Sequence, residues 1–318
     1  LPPHPLTPSP SVPAEQRSLN GHLFHVSKAP DKLRHLINDL ARAAKYISYA
    51  IKTTEAGLAG SVNMFGEEQV KLDVLSDRII QEHLAENRLV ASYACEEHDT
   101  VVELSPDAPY SVTFDPLDGS SLVDANLAIG SIFGIYEGKE IIGHTPREQV
   151  AALYVLYGPR TLFVYSTGSG VHEFLLNDVG EFVLLREHLG IGDNAKNFSP
   201  GNLRGIDETD GYRDIVESWM AQQMTLRYSG CLVADVHHIF SKGQGIFTFP
   251  ASKKYPQGKL RHAFECGPFA YLAAQAGGAA TDGEKEILDI PITAVDQRCP
   301  LIIGSKNEVA RVCASLAR

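Results

Sequence analysis

No apolar run in this chain of 318 residues approaches the roughly 18–20 residues of a membrane-spanning helix, so no membrane role is expected. Cysteine is sparse. The five present, Cys95, Cys231, Cys266, Cys299 and Cys313, form no Cys-x-x-Cys pair. That argues against a zinc knuckle or a disulfide framework and toward a reducing compartment, with the cytoplasm as the expected location. Basic charge is also short, since 28 Lys+Arg against 39 Asp+Glu leave a net charge of -11. A nucleic-acid surface is therefore not expected, and any phosphorylated ligand must be met by cations gathered locally. No repeat with a period of 20–50 residues is visible. The first twenty residues, LPPHPLTPSPSVPAEQRSLN, are rich in Pro and Ser, lack the apolar core of a secretion signal, and read as a disordered arm.

What the chain has is ordinary globular composition, 44% hydrophobic and 21% charged, at a length that suits two α/β units. Leu33, Leu36, Ile37, Leu40, Ala41, Ala44, Ile47 and Ile51 carry the i, i+3, i+4, i+7 spacing of an amphipathic helix over 31–53, with Asp31 as its N-cap. A glycine-punctuated loop over 57–66 follows, then a second helix over about 68–87. From residue 89, short β-rich runs alternate with Gly, Pro and Asn turns: LVASYAC, YSVTF, IGSIFGIY, AALYVLY, TLFVY and EFVLL. Helical patterns return over 211–224, 233–241, 266–277 and 305–316, with strands over 245–249 and 300–303. The alternation predicts layered α/β architecture. The expected divisions are an arm over 1–20, an N-terminal α/β domain over 21–200 that carries the chemistry, and a C-terminal α/β domain over 201–318.

The most informative stretch is Phe114-Asp115-Pro116-Leu117-Asp118-Gly119-Ser120-Ser121. Two carboxylates stand three residues apart, directly before a Gly-Ser-Ser turn. Hard divalent cations take carboxylate and carbonyl oxygens, and such a turn supplies N–H groups and hydroxyls to phosphate. Tyr93-Ala94-Cys95 runs into Glu96-Glu97 as Ser111-Val112-Thr113-Phe114 runs into Asp115. Two strands ending in acids predict one shared site, at the strand ends where open α/β sheets place their ligands. Glu265, ahead of a Gly/Ala-rich helix, reads either as a helix N-terminal acid or as a residue closing the metal site. Asp124 is a further ligand or a cap on a helix after the serine pair, the cap being preferred. Arg227-Tyr228, Lys253-Lys254, Lys259 and Arg261 are the basic candidates, and for Arg227 a surface salt bridge stands beside a phosphate role. The His237-His238 pair reads as structural.

Taken together, NMFGEEQVKLDVLSD, ACEEHD, FDPLDGSSLVDAN, GSIFGIY, LRYSG, VADVHHIF, KKYPQGKLR and FECGP resemble the class I fructose-1,6-bisphosphatase family, including its sedoheptulose-1,7-bisphosphatase relatives. The resemblance runs from about residue 20 to the C-terminus. It implies a layered αβαβα sandwich and Mg²⁺, two or three ions per site, with Mn²⁺ as a substitute. It implies that Glu97, Asp115, Asp118, Glu265 and the Leu117 carbonyl bind the better-held ion, and that Asp73, Glu96, Glu97 and Asp115 serve further ions and the attacking water. Asp73, Glu96, Glu97 and Asp118 would be the catalytic acids, with Glu96 or Asp73 as the base. Glu67 stands where the family usually has Asp in a mobile loop, and the loop over 57–67 would act as a lid. Gly119, Ser120 and Ser121 would cradle the departing phosphate. Asn202, Tyr228 and Lys259 would hold the distal one, and Arg227 would reach a neighbouring subunit in a homodimer or homotetramer.

The implied reaction is hydrolysis of a sugar C1 phosphate by a metal-activated water. Phe249 occupies a place where the fructose enzymes usually present a Tyr hydroxyl. On that ground, and on FSPGNLR and LYGPRT, the preferred substrate is sedoheptulose 1,7-bisphosphate, giving sedoheptulose 7-phosphate. Fructose 1,6-bisphosphate is the alternative. An inositol-phosphatase-like monophosphatase and a non-catalytic sugar-phosphate sensor are the lesser readings.

Overall fold

The computed structural model describes residues 18–54, 58–62 and 68–316. Ser18 caps helix α1 (Leu19–His25) by accepting from the Gly21 N–H, so the part of the expected irregular arm that is described, 18–20, is already ordered; residues 1–17 lie outside the described range. Helix α2 (Asp31–Thr53) buries Leu33, Leu36, Ile37, Leu40, Ala44 and Ile47 along one face. That is the predicted stripe, with Pro30 rather than Asp31 at the N-cap. The expected loop over 57–66 contains strand β1 (Leu58–Val62), antiparallel to β2 (Glu68–Val70), and helix α3 (Lys71–Asn87) therefore starts three residues later than its pattern suggested.

Eight strands then form one sheet: β3 (Val90–Cys95), β4 (Val102–Glu103), β5 (Tyr110–Asp118), β6 (Ile129–Glu137), β7 (Gln149–Tyr157), β8 (Thr161–Ser166), β9 (His172–Leu176) and β10 (Phe182–Arg186). Their order is β10-β9-β8-β7-β6-β5-β3-β4. Every pairing is antiparallel except β3 with β5. A second, five-stranded sheet has the order β12-β11-β13-β17-β15. It uses β11 (Asn197–Pro200), β12 (Thr225–Leu226), β13 (Ile246–Phe249), β15 (Ala279–Thr281) and β17 (Leu301–Gly304). Strands β14 (Leu260–Arg261) and β16 (Arg298–Cys299) make a separate antiparallel pair. The helices of this half are α4 (Tyr212–Ala221), α5 (Leu232–Lys242), α6 (Gly267–Gln275) and α7 (Lys306–Leu316).

Both sheets are apolar on two faces, because each is sandwiched. Along β7, Leu153 and Val155 join the core shared with α2 and α3, whereas Ala152, Tyr154 and Leu156 join a second core with α5 and α6. The alternation is the two-residue period of a strand. In the smaller sheet Phe247, Leu301 and Ile303 face α5 and α6. Ile246 and Ile302 turn the other way, onto Tyr212 and Trp219 of α4 and Val309 and Val312 of α7. These three cores, the middle one lying on both sides of α5 and α6, fill the four interfaces between five layers, α, β, α, β, α, which is the architecture expected. Each fully buried Leu, Ile or Phe contributes about 1.5–3 kcal/mol, so the shared middle layer of α5 and α6 binds the two sheets firmly. The site forms at the margin of that layer.

Candidate active site

β3 and β5 lie side by side and parallel, with Cys95 opposite Phe114. The residues that follow, Glu96 just beyond β3 and Asp115 still on β5, therefore lie at the same end of the two strands. At Pro116-Leu117 the β5 ladder is interrupted: Asp115 faces Ile132 and Asp118 faces Gly130, so three steps on β5 match two on β6. Such a bulge re-aims side chains. Here it turns Asp115 and Asp118 to one side, with the Pro116 carbonyl fixed by the Ser131 hydroxyl at 2.7 Å and Asp115 Oδ1 accepting from the Leu117 N–H at 2.9 Å.

Asp118 links the two halves of the molecule. Its Oδ2 accepts from the Val233 N–H at 2.7 Å and from the Cys231 thiol at 3.0 Å, at the N-terminus of α5 where the dipole favours an anion. Gly119 lies against the same spot with φ +78°, and a Cβ there would sit 2.8 Å from the Cys231 Cβ. Both the backbone conformation and the space demand glycine. Ser120–Leu122 is a single 3₁₀ turn; no longer helix follows it. Asp124 is accordingly an exposed turn residue that does not line the cavity, and the capping role expected for it has no helix to serve.

Glu265 arrives from far along the chain, on a π-helical turn, His262–Cys266, that leads into α6. Its Oε2 accepts from the Arg261 N–H at 2.5 Å. Asp115, Asp118 and Glu265 bring carboxylate oxygens within 4.8 Å of one another. Burial pushes the Asp115 carboxyl well above the usual carboxylate range, and the charges of Glu96, Asp118 and Glu265 add to it. Burial does the same to Glu265, reinforced by Glu96 and Asp118 and opposed by the Arg261 N–H and Lys259. Asp118 is raised less, because the Val233 N–H, Cys231 and Lys259 offset its burial. Three close carboxylates in a desolvated place repel strongly. An all-oxygen donor set with surplus negative charge fits a hard divalent cation.

A cavity of about 290 Å³ opens above these acids, and the predicted residues Asp73, Glu96, Glu97, Leu117, Gly119, Ser120, Ser121, Tyr228 and Lys259 all line it with them. Tyr228, Phe249 and Lys259 also line a second chamber of about 520 Å³, which adds Asn202, Arg204, Lys254 and Tyr255. The two are therefore continuous, acidic at one end and basic at the other. Asn202 adopts a left-handed conformation, φ 56°, and donates from Nδ2 to the Pro250 carbonyl at 3.3 Å.

Three basic candidates fall elsewhere, Lys253 among them as an exposed residue that lines neither chamber. Arg261 is buried, its Nε 3.7 Å from Glu96 Oε1, so it balances the acids and takes no part in the basic chamber. Arg227 is exposed and lines neither chamber. Glu67 and most of the expected lid lie outside the described residues. His237 is structural, its Nδ1 3.0 Å from the Tyr154 hydroxyl and its pKa lowered by burial to about 4.

Sequence reasoning missed Arg204, Tyr255, Arg298 and Asp235. Arg298 lines the acid chamber and donates to the Lys259 carbonyl at 2.5 Å. Asp235 accepts from the Ser229 and Gly230 N–H groups, fixing the turn after Tyr228, and burial raises its pKa to about 6. Arg204, Tyr255 and Asp235 each lie in a quoted motif, FSPGNLR, KKYPQGKLR and VADVHHIF, whereas Arg298 lies in none of them.

Among the described residues no helix is long and apolar enough to cross a membrane. The chain matches the family model Fructose-1-6-bisphosphatase, N-terminal domain, over residues 19–187 and the C-terminal domain over 191–317. A class 1 fructose-1,6-bisphosphatase of Geobacter sulfurreducens is 49% identical over 284 residues, 88% of this chain and 90% of that one. The chloroplastic sedoheptulose-1,7-bisphosphatase of Triticum aestivum is 40% identical, over 91% of this chain and 74% of the relative. A crystal structure of a sedoheptulose-1,7-bisphosphatase from Toxoplasma gondii, described there as putative, superposes with a TM-score of 0.89 at 34% identity, covering 96% of this chain and 99% of that one. The fructose-1,6-bisphosphatase of Leishmania major does so with 0.89 at 28%, covering 98% and 100%. The chain belongs to the fructose-1,6-bisphosphatase family and is a sugar bisphosphatase, a hydrolase of phosphoric monoesters.

Proposed function

We propose that the protein hydrolyses the C1 phosphate of fructose 1,6-bisphosphate, giving fructose 6-phosphate and phosphate. The observation that carries this reading is the joining of an acidic chamber to a basic one through Tyr228, Phe249 and Lys259. A substrate with a phosphate at each end needs both, whereas a monophosphatase needs one. The preference for the seven-carbon sugar gives way, because the class 1 fructose relatives stand at 43–49% identity against 40% for the sedoheptulose one.

In this reading Glu97, Asp115, Asp118, Glu265 and the Leu117 carbonyl hold Mg²⁺, with Asp73 and Glu96 holding further ions. Bound there, the cation neutralises developing charge and lowers the pKa of water. The Gly119 to Ser121 turn receives the departing phosphate through its N–H groups and hydroxyls. Asp73 or Glu96 takes the proton from the attacking water, both facing the same chamber. Asn202, Tyr228, Arg204, Lys254 and Lys259 hold the distal phosphate, and the exposed Arg227 serves a neighbouring subunit of a homodimer or homotetramer.

Lys259→Met is expected to raise KM about 10–100-fold with kcat changed far less, the loss of one charge-assisted contact made equally in ground and transition states. An unchanged KM would remove Lys259 from the substrate's grip. Sedoheptulose 1,7-bisphosphate is the second reading, carried by Phe249, which offers the shared wall no hydroxyl. Side-by-side kcat/KM values in Mg²⁺ decide between them. A ratio above one for fructose 1,6-bisphosphate is expected, and a ratio below one hands the site to the seven-carbon sugar.

A further inference from the structure

Behind the catalytic acids lies a second group of converging donors with a different chemistry. Asp77 on α3, Cys95 at the end of β3 and His98 in the turn beyond place one ligand atom each within 4.8 Å of one another. Cys95 Sγ is 3.5 Å from Asp77 Oδ1, and His98 Nε2 is 3.3 Å from Asp77 Oδ2. Zinc binds sulfur near 2.3 Å and nitrogen or oxygen near 2.0–2.1 Å, so the edges of its tetrahedron are roughly 3.6 Å between sulfur and oxygen and roughly 3.3 Å between nitrogen and oxygen. The Cys95 and His98 separations, taken to the two different oxygens of the Asp77 carboxylate, are of that size.

The hydrogen bonding of the group supplies a second argument. Gln81 Nε2 approaches both Asp77 Oδ2, at 2.6 Å, and His98 Nε2, at 3.0 Å. A ring nitrogen carries either a proton or a lone pair. His98 Nε2 cannot donate to Asp77 and accept from Gln81 at once. A cation between the three side chains resolves the conflict, with the lone pair directed at the metal and the Gln81 amide left to Asp77. The group is also reachable. Cys95 is fully buried, while the side chains of Asp77 and His98 are 13% and 36% exposed, and the Tyr93 ring stands edge-on to the imidazole at 6.2 Å and orients it.

The geometry points to a binding site for a zinc-class transition ion at Asp77, Cys95 and His98, separate from the oxygen-only catalytic acids. Thiolate and imidazole select Zn²⁺ or Co²⁺ over Mg²⁺, so neighbouring sites of opposite preference bracket one turn, with Glu96 and Glu97 between two of the soft ligands. Binding replaces the thiol proton by the metal and releases it to solvent, with no change of oxidation state. Occupation ties the turn bearing Glu96 and Glu97 to α3.

Co²⁺ added to the intact protein in saturating Mg²⁺ tests this by its spectrum. One equivalent is expected to produce a thiolate-to-cobalt charge-transfer band with tetrahedral d–d intensity, and Zn²⁺ to bleach it. Cys95→Ser is expected to abolish the band. His98→Gln, at a partly exposed position, is expected to weaken Co²⁺ binding at least about tenfold. Asp118→Asn is expected to leave the band intact. Absence of the band from the unsubstituted protein overturns the site, as does its persistence in Cys95→Ser, which would place the ion on another cysteine. Should Cys95→Ser not fold, unchanged Co²⁺ affinity in His98→Gln overturns it equally.

Discussion

Asp118→Asn is expected to lower kcat for phosphate release about 10³-fold or more while leaving the fold intact. Asparagine is nearly isosteric and keeps an oxygen for the Val233 N–H, so the tie to α5 survives. What it loses is negative charge at the one point where β5, α5 and the acid cluster meet. Cation-assisted stabilisation of a phosphoryl transition state is worth several kcal/mol, and about 1.4 kcal/mol is tenfold in rate. Stability should not fall, because the substitution removes one member of a repelling cluster whose burial already raises Asp115 and Glu265. Steady-state phosphate release and a thermal melt, run on the same preparation, read both quantities. Near-normal turnover with an intact melt would refute the assignment of Asp118 to the metal, and with it the reading of FDPLDGSS as the catalytic centre.

That motif was legible because its parts are contiguous. Asp115, Asp118 and the glycine-serine turn sit within eight residues, and two strands that each end in acids needed only to be neighbours, as β3 and β5 are. Glu265 was different. Nothing local separated a metal-facing acid from a helix N-terminal one, since the distinction depends on a π-helical turn that no periodicity announces. The basic chamber was legible in part, through Asn202, Tyr228, Lys254 and Lys259. Arg204 and Tyr255 join it through loops that flank β11 and β13, and loop side chains carry no repeat to read. Arg261 misled for the opposite reason: a basic residue among basic neighbours looked like phosphate chemistry, yet the strand turns it inward to Glu96.

The long helices and the central strands were readable because burial on one or two faces imposes a period. The pieces that escaped were short or shared. β9, β11 and β15 run for five, four and three residues, short enough that alternation is a weak signal. In ACEEHD the two acids drew the eye as carboxylates for a hard metal. Cys95 and His98 on either side carry no local signal, because their partner Asp77 lies on another element. One-dimensional spacing reveals a site only when its residues share a segment.

The protein stripped of divalent cations is expected to lose thermal stability as pH rises, and to regain it with Mg²⁺ chiefly at the alkaline end. Asp115 and Glu265 are buried and well above the usual carboxylate range, and Asp118 is raised too. At low pH these groups are protonated in both states and neutral toward folding. As pH passes the ordinary carboxylate value near 4, the unfolded chain ionises while the folded chain still holds the protons. The folded state then binds more protons than the unfolded one, so stability falls with each further step in pH until the folded values are passed. Each unit of raised pKa is worth about 1.4 kcal/mol, and in a chain of this size 1 kcal/mol moves Tm by about 2 °C. A Tm that falls between mildly acidic and mildly alkaline buffer is expected in chelator. A cation at 100 times its Kd returns about 2.7 kcal/mol, and its increment should grow with pH, because ionised carboxylates are its ligands. Asp115→Asn removes one of the two most strongly opposed of these charges and should flatten the decline. A Tm in chelator that rises with pH, or a Mg²⁺ increment that does not depend on pH, would contradict the picture of three crowded acids waiting for a cation.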